Sequence, residues 1–205
     1  MKFIPLNDEI LEILKRYADW FFEQDLTQLY TDSDTTHTQE SACSKEYLKE
    51  VMSKQMGKER GEHWGPPETV HNTFFGPGSK CPQEHKDASN KVNDELVKYL
   101  SALYSAVHVY YPEGGFMGWH NNWDVPGYNI LINYNAGDGW FKYYDIEKDE
   151  IITQVDPVGW SAKVGYYGGK DDPTWHCAGG GPRITFGFLC PVKEMWEMMI
   201  EDLSS

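Results

Sequence analysis

Basic residues are scarce in this chain: 18 Lys and Arg stand against 32 Asp and Glu over 205 residues, a formal charge of −14. No run of them forms a stripe that could neutralise a phosphate backbone, which argues against a duplex nucleic acid partner. The acidic surplus itself reads as a solubility device rather than a partner code. Long apolar runs are missing too. No stretch approaches the roughly 20 apolar residues of a membrane span, and Met1-Lys2-Phe3-Ile4-Pro5-Leu6-Asn7 runs into charged residues before a secretory core could form. The four cysteines, Cys43, Cys81, Cys177 and Cys190, lie far apart with no C-x-x-C pair. Reduced thiols in a cytoplasmic setting are therefore expected. Low-complexity tails and internal repeats are absent. Gly179-Gly180-Gly181 lacks the Lys-Ser/Thr and the following helix of a phosphate loop, so it reads as a tight turn between strands.

What the chain does have is core-forming material. Hydrophobic residues make up 40% and aromatics 15%, with eight Trp and thirteen Tyr, enough for a globular core. The length suits one domain spanning residues 1–205. Asn7-Asp8-Glu9 caps a predicted helix whose apolar residues Ile10, Leu11, Leu14, Tyr17, Ala18 and Phe21 run to about Gln24. Residues 31–44 are polar and read as loop. Lys45 to Met56 reads as a short helix ended by Gly57. Glu68 to Phe75, between Pro66-Pro67 and Gly76-Pro77-Gly78, reads as a strand, and Asp87 to Tyr104 as a helix carrying Val92, Leu96, Leu100 and Leu103.

From residue 106 the pattern turns to strands: 106–111, 128–135, 140–145, 151–155, 161–167 and 183–189. Lys193 to Leu203, with Met195, Trp196, Met199 and Ile200, reads as a closing helix on the sheet. Short strands separated by Gly and Pro turns and covered by helices predict an all-β core with flanking helices (α+β), a double-sheet jelly roll. Helical support then occupies about 1–104, the core about 105–190 and the last helix about 193–203.

Chemistry concentrates in two strand-like pieces, Gly118-Trp119-His120-Asn121-Asn122 and Trp175-His176-Cys177, followed by Arg183-Ile184-Thr185-Phe186-Gly187-Phe188. Two imidazoles with a carboxylate on one face of a metal are what non-haem iron(II) oxygenases use. Two residues after the first His, where that carboxylate is expected, stands Asn122. Along 183–189, period two puts Arg183, Thr185 and Gly187 on one face and Ile184, Phe186 and Phe188 on the other. The apolar face suits helices, so Arg183 points inward, where a guanidinium needs an anion. A bound carboxylate, met by the planar fork and by a neighbouring hydroxyl, would satisfy it.

On these residues the chain resembles the iron(II)- and 2-oxoglutarate-dependent dioxygenases, in their prolyl-hydroxylase-like branch, over roughly residues 104–190. Tyr111-Pro112-Glu113-Gly114-Gly115-Phe116-Met117-Gly118-Trp119-His120 resembles the family's approach to its first metal His. Gly139-Trp140-Phe141 is similar to its mid-barrel turn, and Trp175-His176 with Arg183-Ile184-Thr185 to its distal His and oxoglutarate-binding pair. The resemblance implies a double-stranded β-helix. It also implies Fe(2+) on His120 and His176, and 2-oxoglutarate held at its C5 carboxylate by Arg183 and Thr185, with Tyr111 as a further phenolic donor. The implied activity consumes molecular oxygen, hydroxylates a C–H bond of a small-molecule or peptide substrate and releases succinate and CO2.

The third metal position stays open between Asn122, Asp124 and water or halide. An open position would also allow a halogenase, and Asn122 would equally suit an inactive carboxylate-binding module. His37, His63, His71, His85 and His108 read as structural. Cys177 reads as packing, as do most of Trp119, Trp123 and Trp175.

Overall fold

The computed structural model describes residues 1–55, 69–102, 105–122, 125–169 and 171–205. Among these residues five α-helices, one short 3-10 turn (Leu26–Gln28) and eleven strands follow in chain order. The helices are α1 (Asp8–Glu23), α2 (Gln39–Ala42), α3 (Lys45–Gln55), α4 (Gln83–Tyr99) and α5 (Lys193–Ser204). The strands are β1 (Lys2–Ile4), β2 (Asp32–Ser33), β3 (Val70–Phe74), β4 (Ser105–Tyr111), β5 (Phe116–His120), β6 (Gly127–Asn135), β7 (Trp140–Asp145), β8 (Glu150–Val155), β9 (Gly159–Tyr167), β10 (His176–Gly179) and β11 (Arg183–Cys190).

All strand pairs are antiparallel and form a curled path, β1-β9-β6-β11-β4-β3-β5-β10-β7-β8. Strand β3 belongs to both halves. Its Thr73 and Phe74 pair with β4, while Val70 and His71 pair with β5. The sheet thereby folds on itself into two facing layers, a jelly roll of the double-stranded β-helix type.

Helices cover the outer face of the larger layer because its strands alternate. Ile184, Phe186 and Phe188 of β11, with Ile130 and Ile132 of β6, pack against Leu14, Tyr17 and Phe21 of α1, Leu96 of α4 and Leu203 of α5. Each large apolar side chain so enclosed contributes roughly 1.5–3 kcal/mol. Asn7 caps α1 as its sequence predicts, its side chain accepting from the Ile10 amide. A second apolar cluster places Ala42, Cys43 and Leu48 over Phe116, Trp119, Trp175 and Cys177 on the smaller layer.

Residues 31–44 depart from the loop reading. Asp32 and Ser33 pair with Asn72 and His71, and Thr38 caps the single turn of α2. Polarity in this segment reflects capping hydroxyls rather than lack of structure. Helix α4 begins four residues before Asp87 and stops at Tyr99. The expectations at Met56, Gly57, Pro66-Pro67, Glu68, Leu103 and Tyr104 lie outside the described residues, as do those at His63, Trp123 and Asp124. Among the described residues, no helix is long and apolar enough to cross a membrane.

His108 on β4 faces the helices, its ring 4.6 Å from that of Phe186 and 5.3 Å from that of Phe75. Burial pushes its pKa down to about 3. The unfolded chain takes up this proton below about pH 6.5 and the folded chain does not, so stability present above that pH is lost as pH falls toward 3. The loss between pH 7 and pH 4 is about 3 kcal/mol. His108→Phe is expected to remove that share of the acid limb. Urea unfolding of both proteins at the two pH values measures it, and equal losses in the two would refute it.

Candidate active site

The inward faces of the two layers enclose a cavity of about 440 Å³, a size suited to small ligands. Strand register sets its levels. On the larger layer Arg183 stands beside Tyr111 and Asn135, Thr185 beside Val109 and Asn133, Gly187 beside Val107 and Leu131, and Leu189 beside Asn129. On the facing layer Ala178 lies beside Met117 and Phe141, and His176 lies directly across from His120. Lining residues include His120, Asn122, His176, Tyr111, Arg183 and Thr185, so the structure brings all six sequence-predicted site residues to one cavity.

The two imidazoles are cross-strand neighbours with ring centroids 4.1 Å apart. Each is held in the same way. His120 Nδ1 lies 2.8 Å from the Gly118 carbonyl and His176 Nδ1 2.8 Å from the Thr174 carbonyl, in both cases two residues upstream. A carbonyl only accepts, so each Nδ1 carries the proton and each Nε2 keeps its lone pair. Burial pushes His120 down to about 4, against the pull of its backbone hydrogen bond. Burial, and then proximity to His120, drives His176 well below the ordinary histidine range. Both rings are therefore neutral donors at neutral pH, the state a metal requires.

Asn122 lines the same cavity, and its backbone carbonyl accepts from the Val125 amide at 2.8 Å. Among the described residues, no three His, Cys, Asp or Glu side chains cluster as a metal site. The donors at hand are two imidazoles and an amide.

At the other end, Arg183 differs from its sequence reading in one respect. Its anion is supplied by the chain itself: Nε donates to Asp156 Oδ2 at 2.8 Å, and Nη2 to Asn133 Oδ1 at 3.0 Å. Lys163 Nζ donates to the other Asp156 oxygen at 2.8 Å. Burial raises the Asp156 carboxyl, but Arg183 and Lys163 outweigh it and hold the group below its usual range. Thr185 Oγ1 also donates to Asn133 Oδ1, at 2.9 Å. What remains is Arg183 Nη1, a buried donor without a partner among the described residues, and the Tyr167 hydroxyl, in the same condition. Both residues line the cavity.

The Tyr111 ring lies 5.0 Å from the guanidinium carbon. Burial raises its phenol against the charge and the hydrogen bond of Arg183, so the oxygen accepts from the guanidinium while the O–H stays protonated and able to donate. Trp119 and Trp175 turn away from the cavity into the outer cluster, where Trp119 Nε1 donates to the Ser44 carbonyl at 2.9 Å. Cys177 is packed there as well.

Asp156, Lys163, Asn133 and Tyr167 were not anticipated from sequence. The signal existed in the strand period: Asn133 shares a face with Asn129 and Asn135 in β6, and Lys163 shares one with Tyr167 in β9. Asn135 accounts for the position of Asp156. Its amide nitrogen donates to the Asp156 carbonyl at 2.7 Å, and its oxygen accepts from the Gly137 and Gly139 amides. The turn joining β10 to β11 lies so close to Asp138 that a Cβ at Gly180, which has φ +79°, would stand 2.1 Å from the Asp138 carbonyl oxygen.

No protein-family model matches this sequence, and no curated protein matches it. Among solved structures it is similar to a prolyl-4-hydroxylase of Pseudomonas putida. That likeness has 11% identity, covers 86% of this chain and 98% of the other, and has a TM-score of 0.32.

Proposed function

We propose that this chain is an iron(II)- and 2-oxoglutarate-dependent oxygenase that hydroxylates a C–H bond of its substrate and releases succinate and CO2. The observation that carries the reading is a pair of neighbouring imidazoles whose Nδ1 atoms are tied to backbone carbonyls, leaving the lone pairs on Nε2, at one cavity with a buried guanidinium whose Nη1 has no partner among the described residues. Imidazole nitrogens suit iron, and the amide of Asn122 adds a neutral oxygen at the same cavity. His120 and His176 would hold the metal through Nε2, with Asn122, Asp124 or water as the further ligand. Iron(II) with 2-oxoglutarate and O2 supplies the oxidising power for the C–H step.

The chain's own residues do the rest. The Gly118 and Thr174 carbonyls orient the two rings and fix their tautomers. Arg183 Nη1 and the Tyr167 hydroxyl receive the distal carboxylate of 2-oxoglutarate, and the Tyr111 phenol donates to it. The Thr185 hydroxyl joins them by turning from Asn133. Val107, Val109, Leu131, Phe141 and Leu189 keep water from the reacting centre. Residues 1–205 would work as one catalytic unit, since α1, α4 and α5 back the layer that carries Arg183. A reducing cytoplasm suits ferrous iron and the four unpaired thiols.

Anaerobic titration of the full chain with iron(II) and 2-oxoglutarate tests the proposal. A visible metal-to-ligand charge-transfer band is expected, followed by succinate formation in air. No band and no succinate would refute the oxygenase and leave a carboxylate-binding module. Chlorinated product in the presence of chloride would assign a halogenase instead.

A further inference from the structure

Behind the anion end, two buried cations share one carboxylate. Lys163 Nζ engages Asp156 Oδ1 and Arg183 Nε engages Asp156 Oδ2, each at 2.8 Å, and none of the three side chains is more than 1% exposed. Two positive charges against one negative leave a formal surplus of +1 where water does not reach, a costly arrangement without a counter-charge. Lys163 is not among the lining residues of the cavity, and its ammonium sits 4.4 Å from the Phe141 ring centroid and 4.9 Å from that of Phe3. It cannot meet a cavity ligand directly.

We infer that Lys163 is a positioning residue for the proposed co-substrate: by engaging Asp156 it keeps that carboxylate from neutralising Arg183, so the guanidinium presents net positive charge to a ligand carboxylate. The inference rests on the reading of the cavity as a 2-oxoglutarate site. Without the ammonium, Asp156 and Arg183 form a neutral pair, and the anion end keeps its hydrogen-bond donors but loses its net attraction. Asp156 has the complementary task of occupying Nε, which aims Nη1 at the cavity.

The arrangement has a pH signature. Burial, reinforced by Arg183 and opposed by Asp156, pushes Lys163 down to about 8. Its charge is therefore lost as pH rises through that value. Asp156, from the segment between β8 and β9, is held low and stays ionised. The phenols of Tyr111 and Tyr167 are raised by burial and stay neutral. The Met1 amino group is lowered from its ordinary value by burial and by Lys163.

Calorimetric titration of the metal-free full chain with 2-oxoglutarate between pH 7 and pH 9 tests the inference, with no metal-bound water titrating in the same range. Wild type is expected to bind about tenfold more weakly at pH 9 than at pH 7. Lys163→Met is expected to bind about tenfold or more below wild type at pH 7, as removal of one buried charge implies, with no further fall to pH 9. Lys163→Arg keeps the cation, so it should retain the affinity at pH 7 and lose the alkaline fall. A slope from Met1 would survive in both variants.

PH-independent wild-type binding, or Lys163→Met binding as tightly as wild type, overturns the inference alone. A wild type that binds 2-oxoglutarate neither metal-free nor with iron(II) under anaerobic conditions overturns the carboxylate reading beneath it. If circular dichroism shows Lys163→Met unfolded, the pH profile of Lys163→Arg against wild type decides.

Discussion

Arg183→Met should weaken binding of 2-oxoglutarate by about 2–5 kcal/mol, or roughly thirty- to several-thousand-fold. The residue is nearly fully buried, and its Nη1 is, among the described residues, the donor left without a partner once Asp156 and Asn133 are served. The substitution removes the hydrogen bonds to Asp156 and Asn133 but leaves Lys163 and Asp156 a balanced pair, so chain stability should fall by about 1–3 kcal/mol, the range for lost hydrogen bonds to a charged group. The two effects separate experimentally. Calorimetry of folded protein gives the affinity and urea unfolding gives the stability. Thr185→Val offers a calibrated contrast, because it removes one neutral hydrogen bond to Asn133 and should cost about 1 kcal/mol in either measurement. Unchanged affinity in Arg183→Met would show that carboxylates do not bind at this guanidinium.

The second large effect is expected at the imidazole pair. His176→Ala leaves one ring, and iron affinity should fall by well over 100-fold, beyond the 10–100-fold that loss of an outer-sphere partner brings. Its ring also stacks on Tyr167 at 4.5 Å and on Phe141 at 5.6 Å, so some stability is lost with it. Asn122→Asp is the informative opposite. A carboxylate at ligand distance from a dication is attractive by several kcal/mol even at an effective dielectric of about 20, so iron should bind at least about tenfold more tightly. Iron titration under anaerobic conditions reads both variants. If His176→Ala binds iron like wild type, the metal lies elsewhere; if Asn122→Asp binds no better, Asn122 is not beside it.

How far the sequence reaches is clearest in β11. Its strict alternation assigned both faces correctly, because a strand buried on one side by helices and on the other by a cavity shows its period in residue type. The jelly roll was readable for the same reason, from 106 onward. The partner of Arg183 was not. Asp156 lies 27 residues earlier, in the segment between β8 and β9, and reaches the guanidinium through pairings of β6 with β9 and β11 that no local pattern contains. Lys163 was invisible for a related reason: a lysine in a strand normally marks the wet face, and here the face is dry. Asn133, which engages the Thr185 hydroxyl from the neighbouring strand, lies beyond any local pattern in the same way. The 31–44 segment was misread because hydroxyl-rich sequence supports caps as well as loops.

Strand β3 gives the cavity a fixed span. Through five residues it is stitched to β4, and so to the strand of Arg183, on one edge and to β5, the strand of His120, on the other. A two-headed ligand that reaches from the imidazoles to the guanidinium is thus measured against main-chain geometry, which side-chain substitution cannot stretch. Oxaloacetate, one methylene shorter than 2-oxoglutarate, should fall short of one end whichever lining residue is altered. Chain-length selectivity would then be a property of the weave of the sheet.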